Sequence, residues 1–334
     1  MRTLGSSKKK CKEPVTVLKM KVVMINDCAF IAETLLKNLP PNLEKEHIKR
    51  TRGLWSKTFG LAYRIHRAKG DVYHAHYLLQ DCYLASVLGK KPLVGSAHGS
   101  DLRQQIRSRK WGRIVRHNLK ACDRILVSQP TLMETARQYN ERAEYFPIPY
   151  DPNTFYGKPM LENRDKKTVL IASAHDFAVK GTDKFLQALA LISKPITIMA
   201  IRFGRNLVEA QQLSNRLNLK VDFIERVPHE KINELYWQSD IVLGSFGVGQ
   251  LDTVAIEAMA CGRPVVHSVA NKALPTCPLE ELQTPEETSE LISRLLWNKN
   301  EAQSRVKKQL DYVVPNHSAT VRVERLLEIY SEIM

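Results

Sequence analysis

Short apolar runs recur along the chain, and most are followed by a stretch in which apolar positions return every three to four residues. In the first half the runs are Lys21–Asp27 (KVVMIND), Asp71–His76 (DVYHAH), Pro92–His98 (PLVGSAH) and Arg124–Ser128 (RILVS). Each is short enough and apolar enough to be a buried strand. Helical periods are predicted over Ala29–Leu39 and Lys57–Ala68. The second of these sets Trp55, Phe59, Ala62 and Ile65 on one face and Lys57, Arg64 and Arg67 away from it. Three prolines in FPIPYDPNTF (Pro147, Pro149, Pro152) break both periods and mark an interdomain linker.

Beyond it a second series begins: strand Thr168–Ala174, helix Thr182–Ile192, strand Ile196–Ile201, helix Leu207–Leu217, strand Val221–Val227 and helix Glu230–Gln238. It continues through strand Ile241–Leu243, helix Thr253–Ala260 and strand Pro264–Val266, and ends in amphipathic helices over Pro285–Trp297 and Ser318–Ile333. Strands alternating with helices, twice over, predict an α/β protein of two parallel sheets covered on both faces. The expected domains are 1–150, with a basic leader over 1–14 expected to be disordered, and 151–334. A chain of 334 residues is long enough for two such cores.

Composition changes this picture little, and charge changes it more. An apolar content of 43% and a charged content of 25% are ordinary for a globular protein. No apolar run approaches the roughly 20 residues that span a bilayer, and the first residues lack the apolar core of a signal peptide, so a cytoplasmic location is expected. The six cysteines (Cys11, Cys28, Cys82, Cys122, Cys261, Cys277) have neither C-x-x-C nor Cys/His spacing, which argues for reduced thiols rather than a disulfide framework or a zinc site. The net charge of +15 is unevenly placed: residues 1–150 hold 28 Lys and Arg against 12 Asp and Glu, and the remainder 22 against 23. The first half is therefore expected to meet an anionic surface or acceptor. Leu102–Lys120, taken as one helix, would carry Arg103, Arg107, Arg109, Lys110, Arg113, Arg116 and Lys120 over half its circumference. Such a face suits an anionic membrane, at about 1 kcal/mol per basic residue, or is simply solvated.

Candidate chemistry gathers at strand ends. In Ser239–Val266 a glycine-bearing loop (Gly244, Gly247, Gly249) feeds the Thr253–Ala260 helix, whose first N–H groups and positive dipole end are suited to a phosphate. Glu257 stands inside that helix among Ala, Ile and Met, where a carboxylate needs donors such as ribose hydroxyls. Lys180, followed by Gly181, can place a point charge on a diphosphate or lie in an exposed loop. His98 ends a strand in SAHGSD, at the edge where open parallel sheets bind ligands, while His74 and His76 fit structural roles better.

Taken in order, HAHY, KPLVGSAHGSD, DRILVSQPTLMETA, PIPYDPNTF, KGTDKFLQALA, VDFIERVPHEKINELYWQSDIVLGSF and IEAMACGRPVV resemble the glycosyltransferase family 4 group of retaining enzymes of GT-B fold. The resemblance implies two facing Rossmann-like domains, with the nucleotide sugar on the second, the acceptor on the first, and the last helix crossing back. It implies His98 beside the transferred sugar, Lys180 on the donor diphosphate, and Glu257 on the ribose as the second glutamate of an E-x7-E motif. Thr253 and Val254 would offer amides to the diphosphate, and Arg226 and Val227 would border the nucleobase. No cofactor and no metal are expected. Three positions depart from the pattern: Gly249 stands where the first glutamate is usual, with Asp252 nearby as a substitute; His175 stands where an arginine commonly meets the diphosphate; and NDCAF replaces a glycine-rich loop. The acceptor is expected to be a glycan, lipid-linked or otherwise anionic, contacted by Arg103, Arg107, Lys110 and Arg113, with the enzyme peripheral at the inner membrane face. Alternatives are a nucleotide-sugar epimerase, a phosphorylase, for which no pyridoxal-binding lysine is found, and a non-catalytic nucleotide-sugar or nucleic-acid binder. The last is disfavoured because aromatic stacking platforms are missing among the basic clusters.

Overall fold

The computed structural model describes residues 20–50, 53, 59–160 and 166–334. Its first sheet has six parallel strands in the order β2-β1-β3-β4-β5-β6: β1 Lys21–Ile25, β2 Glu44–Ile48, β3 Val72–His76, β4 Leu93–Ala97, β5 Arg124–Val127 and β6 Ala143–Tyr145. The second has five parallel strands in the order β11-β10-β7-β8-β9: β7 Lys167–Ile171, β8 Ile196–Ile201, β9 Val221–Ile224, β10 Ile241–Leu243 and β11 Val265–Val266. Strands β3 and β4 are buried along their whole length, as expected where helices cover both faces of a parallel sheet. Each sheet has an apolar core on either side.

The sheets are tied by chain segments near residues 150 and 318. Tyr150 and Ser318 form a parallel bridge, with Tyr150 N–H donating to the His317 carbonyl at 2.9 Å and Ala319 N–H to the Tyr150 carbonyl at 2.9 Å. The helix Ala319–Ile333 then lies on the first sheet. Its Val323, Leu326, Ile329 and Tyr330 join Val22, Met24, Val72 and Leu126 in one core. Arg325 grips Glu144 through two hydrogen bonds of 2.7 Å, and Lys37 reaches Asp151 of the linker at 2.6 Å.

Three readings of the sequence need correction. Leu102–Lys120 is not one helix. A single turn, Ser100–Arg103, and a short turn, Gln105–Arg107, precede the helix Gly112–Ala121. The break lies at Ser108, which is extended, and at Gly112, where a Cβ would stand 2.6 Å from the Ile106 carbonyl oxygen. The cations therefore do not form one stripe. In Phe59–Arg67 the buried face is Leu61 and Ile65, whereas Phe59 is 69% exposed; Trp55 and Lys57 fall outside the described residues, as does the leader. Finally, a helix over Lys299–His317 and the edge strands β2 and β6 were not anticipated.

Candidate functional site

Between the sheets lies a cavity of about 240 Å³ bordered by His98, Ser100 and Arg103 from the first half and by Lys180, Asp252 and Thr253 from the second. Each group arrives at the carboxyl end of a strand, where a parallel sheet presents its loops. A larger cavity of about 640 Å³, walled by Trp297, Leu310 and Lys158, is lined by none of the predicted site residues, and its Lys167 and Asp240 pair at 3.1 Å.

His98 follows β4 and its turn is held by buried Asp101, which accepts hydrogen bonds from the N–H groups of His98 (3.1 Å), Gly99 (2.9 Å) and Leu102 (3.0 Å). The His98 ring stacks on His76 at 5.4 Å, with Nε2 lying 3.3 Å from His76 Nδ1. His76 stacks in turn on His74 at 4.4 Å, and the two nitrogens of His74 bond Tyr330 Oη and Ser96 Oγ at 2.7 Å each. Burial pushes all three imidazoles down, His74 to about 3, His98 to about 4 and His76 well below its ordinary value, so the stack is uncharged at neutral pH. Arg103 is tied to Gln129.

The opposite wall carries charge. Asp252 caps the Thr253–Ala260 helix, accepting from Ala255 N–H at 2.9 Å, and Lys180 Nζ donates to its other oxygen at 2.5 Å. Burial pushes the Asp252 carboxyl up, but the Lys180 charge and its hydrogen bond outweigh it and hold the group at about 2. As the first N–H groups of a helix, those of Thr253 and Val254 have no intrahelical carbonyl to bond. The loop before them needs two glycines. At Gly244 a Cβ would stand 2.3 Å from His267 Nδ1, which accepts the Ser245 N–H at 2.8 Å. At Gly249 φ is +64° and Ala270 is packed close, so the residue that replaces the expected glutamate suits a backbone that a side chain would strain.

Glu257 is buried, and both of its oxygens are engaged, by His229 Nε2 at 2.6 Å and by Tyr236 Oη at 3.1 Å. Burial raises the Glu257 carboxyl, and the neighbouring Glu257 raises His229 above its ordinary value against the effect of burial. The two face each other as a buried histidine–carboxylate pair, each partner favouring the other's charged form. On the outer face of His229 lies Phe30 from the first half, its ring parallel within 6° at 4.0 Å. Neither Phe30 nor His229 was singled out from the sequence. The available signal was NDCAF standing where glycines are usual.

Glu257 and Val254 do not line the cavity, nor do the remaining predicted residues. His175 is enclosed, its ring 5.6 Å from Phe223 and neither ring nitrogen bonded; burial pulls its pKa down, so it is neutral rather than a second cation. Arg226 is exposed over Phe203 at 4.9 Å, with half-buried Val227 beside it, beyond β9. Arg107, Lys110 and Arg113 are exposed on the outer surface of the first half. Among the described residues no group of three His, Cys, Asp or Glu side chains converges as metal ligands would, and no helix is long and apolar enough to cross a membrane.

Two parallel-stranded α/β sheets facing one cleft, with a helix start and a lysine on one wall and a histidine on the other, define the GT-B architecture. Residues 166–296 match the family model for Glycosyl transferases group 1, and residues 37–153 that for Glycosyltransferase Family 4. The chain belongs to this glycosyltransferase family. Among solved structures it is similar to Anabaena Alr3699/HepE in complex with UDP and glucose (TM-score 0.75, 16% identity, 94% of this chain and 100% of that one). It is also similar to sucrose-phosphate synthase from Thermosynechococcus elongatus (TM-score 0.72, 16% identity, 93% of this chain and 98% of that one). Curated relatives include the GPI3 subunit of phosphatidylinositol N-acetylglucosaminyltransferase from Saccharomyces cerevisiae strains RM11-1a and S288c, 24% identical over 197 residues, or 55% of this chain. The match takes in 42% of those relatives, so the chain spans less than half of their length.

Proposed function

We propose that the protein transfers a sugar, with retention of anomeric configuration, from a nucleoside-diphosphate sugar to an anionic lipid-linked acceptor at the cytosolic membrane face. The observation that carries this reading is the pairing across one cleft of His98 with Lys180 and the capped start of the Thr253–Ala260 helix. The donor's diphosphate lies against the Thr253 and Val254 amides and Lys180, its ribose against Glu257, and its sugar points toward His98. The bond from the anomeric carbon to the phosphate oxygen breaks, its electron pair leaving with the diphosphate. The acceptor oxygen forms the new bond on the same face, and the acceptor's hydroxyl proton passes to the departing phosphate oxygen. Lys180 has three donors, so it can keep Asp252 and still meet the growing negative charge. Neutral His98 serves the sugar's hydroxyls by hydrogen bonding. No metal is invoked in this scheme; the cations and helix start take that role.

The acceptor reading draws on the likeness to the GPI3 subunit of yeast phosphatidylinositol N-acetylglucosaminyltransferase and on the exposed Arg107, Lys110 and Arg113. The test is incubation with UDP-glucose or UDP-N-acetylglucosamine and vesicles containing phosphatidylinositol, with product anomers read by NMR. An α-linked glycolipid is expected. Donor binding without transfer or hydrolysis would overturn the enzymatic reading. Flotation with anionic vesicles, weakened when Arg107, Lys110 and Arg113 become Ala, tests the membrane role.

A further inference from the structure

The segment between β1 and its helix, Asn26 to Phe30, is held in an unfavourable backbone. Asn26, Ala29 and Phe30 have φ values of 66°, 50° and 64°. Glycine takes such left-handed values freely, whereas a residue with a side chain pays on the order of 1 kcal/mol or more. Strain retained where a glycine would relieve it points to a side chain that is needed. Core burial does not explain Phe30, which is 44% exposed. Its contact is instead the His229 ring, 4.0 Å away and parallel within 6°. His229 belongs to the second half, lies 5.4 Å from the Phe155 ring, and bonds Glu257 at 2.6 Å. The loop of one half thus presses on the residue that holds the buried Glu257 carboxylate of the other.

We propose that Phe30 is a positioning residue for the donor's nucleoside: by stacking on His229 it fixes the His229–Glu257 pair, so that the nucleotide site built on the second sheet is completed by the first half. This rests on the reading of the cleft as a nucleoside-diphosphate site. Glu257 remains able to take ribose hydroxyls in this arrangement, since a carboxylate offers about four acceptor positions and His229 and Tyr236 use two. His229 favours that carboxylate's charged form and keeps it aimed, and Phe30 keeps the imidazole from swinging out of the pair.

The test uses the full chain and two probes, UDP and GDP, titrated calorimetrically, with melting temperatures recorded in parallel. Phe30→Gly removes both the ring and the left-handed strain, so it is expected to melt at the same or a higher temperature while binding its preferred nucleotide about three- to tenfold more weakly, the loss of one ring stack. Phe30→Leu, apolar but unable to stack, is expected to weaken binding similarly, and Phe30→Tyr to restore it. A purely structural Phe30 would not combine undiminished stability with weaker binding. Unchanged affinity in both Phe30→Gly and Phe30→Leu would overturn the inference and leave the donor reading intact. Failure of the unaltered protein to bind either nucleotide would overturn the donor reading and this inference with it.

Discussion

The two walls of the cleft are built alike and charged differently. On each, an aspartate ties down the turn after a parallel strand: Asp101 after β4, Asp252 at the head of the Thr253–Ala260 helix. Asp101 accepts only from backbone N–H groups, and the ring beside it, His98, belongs to a stack of neutral imidazoles. Asp252 accepts from one amide, from the Ser173 hydroxyl at 3.5 Å and from Lys180, which brings a cation to the cavity. One frame therefore yields a wall whose strand-end ring is neutral, with Arg103 as a cation held by Gln129, and another whose cation is held by the aspartate itself. What distinguishes them is whether a side chain or only the backbone fills the carboxylate's second oxygen.

The largest expected effect tests the charged wall. Lys180→Ala should lower kcat by about 10²–10³, the usual loss when a preorganised charge stabiliser is removed. An undiminished rate would mean that the leaving group is met elsewhere. Next, Asp252→Asn keeps a capping side chain but loses the charge, and should destabilise the fold by about 2 kcal/mol at pH 7. Because the folded Asp252 pKa is depressed from 3.8 to about 2, this difference is present above the ordinary aspartate value and disappears as pH falls through about 2. Urea titrations of both proteins at pH 7 and pH 3 should show the gap narrowing; a gap independent of pH would remove the electrostatic account.

On the wall that carries the imidazole stack, His98→Ala should lower kcat about tenfold while leaving the donor's KM nearly unchanged. Since His98 is held down at about 4, wild-type activity should show no inflection attributable to it between pH 5 and pH 8. A KM effect alone would make His98 a binding residue. The smallest effect concerns His229. Its folded pKa is raised by Glu257, so its stabilising contribution is complete below its ordinary value near 6.5 and is lost as pH rises through the raised value. The melting difference between wild type and His229→Gln should therefore shrink from pH 6 to pH 9, and a difference that grows would contradict this pairing.

Much of the architecture was legible because strands buried on both faces and amphipathic helices announce themselves. Strands Ile196–Ile201 and Ile241–Leu243 and helices Thr253–Ala260 and Pro285–Trp297 lie where the pattern placed them. Strand β2 (EKEHI) escaped because an edge strand with only Ile48 buried has no apolar period. Lys299–His317 escaped because its buried face includes Arg305 and Gln309 and because it contains Pro315. Arg305 reaches the Pro278 carbonyl at 2.8 Å, a solution invisible to a hydropathy count. At the site, the start of the Thr253–Ala260 helix was legible from local spacing, whereas spacing left Lys180 open between a diphosphate contact and an exposed loop; the structure adds the bond between Lys180 and the helix-capping Asp252. His175 lies against Phe223 rather than in the cavity lining, because position in a motif does not say which way a ring turns. Phe30 and His229 lie on different halves, and no local pattern links residues that meet only after both sheets have formed.

The return of Ala319–Ile333 to the first sheet also sets an order of events during synthesis. Val22, Met24 and Leu126 leave the ribosome early, yet the residues that cover them, Val323, Leu326 and Ile329, emerge only after the entire second sheet has been made. The second half is in this sense an insertion into the first, and it can bury its own cores while its predecessor waits with one face uncovered. A nascent chain halted before Ala319 should therefore hold a protease-resistant second half beside a first half that is still easily cut.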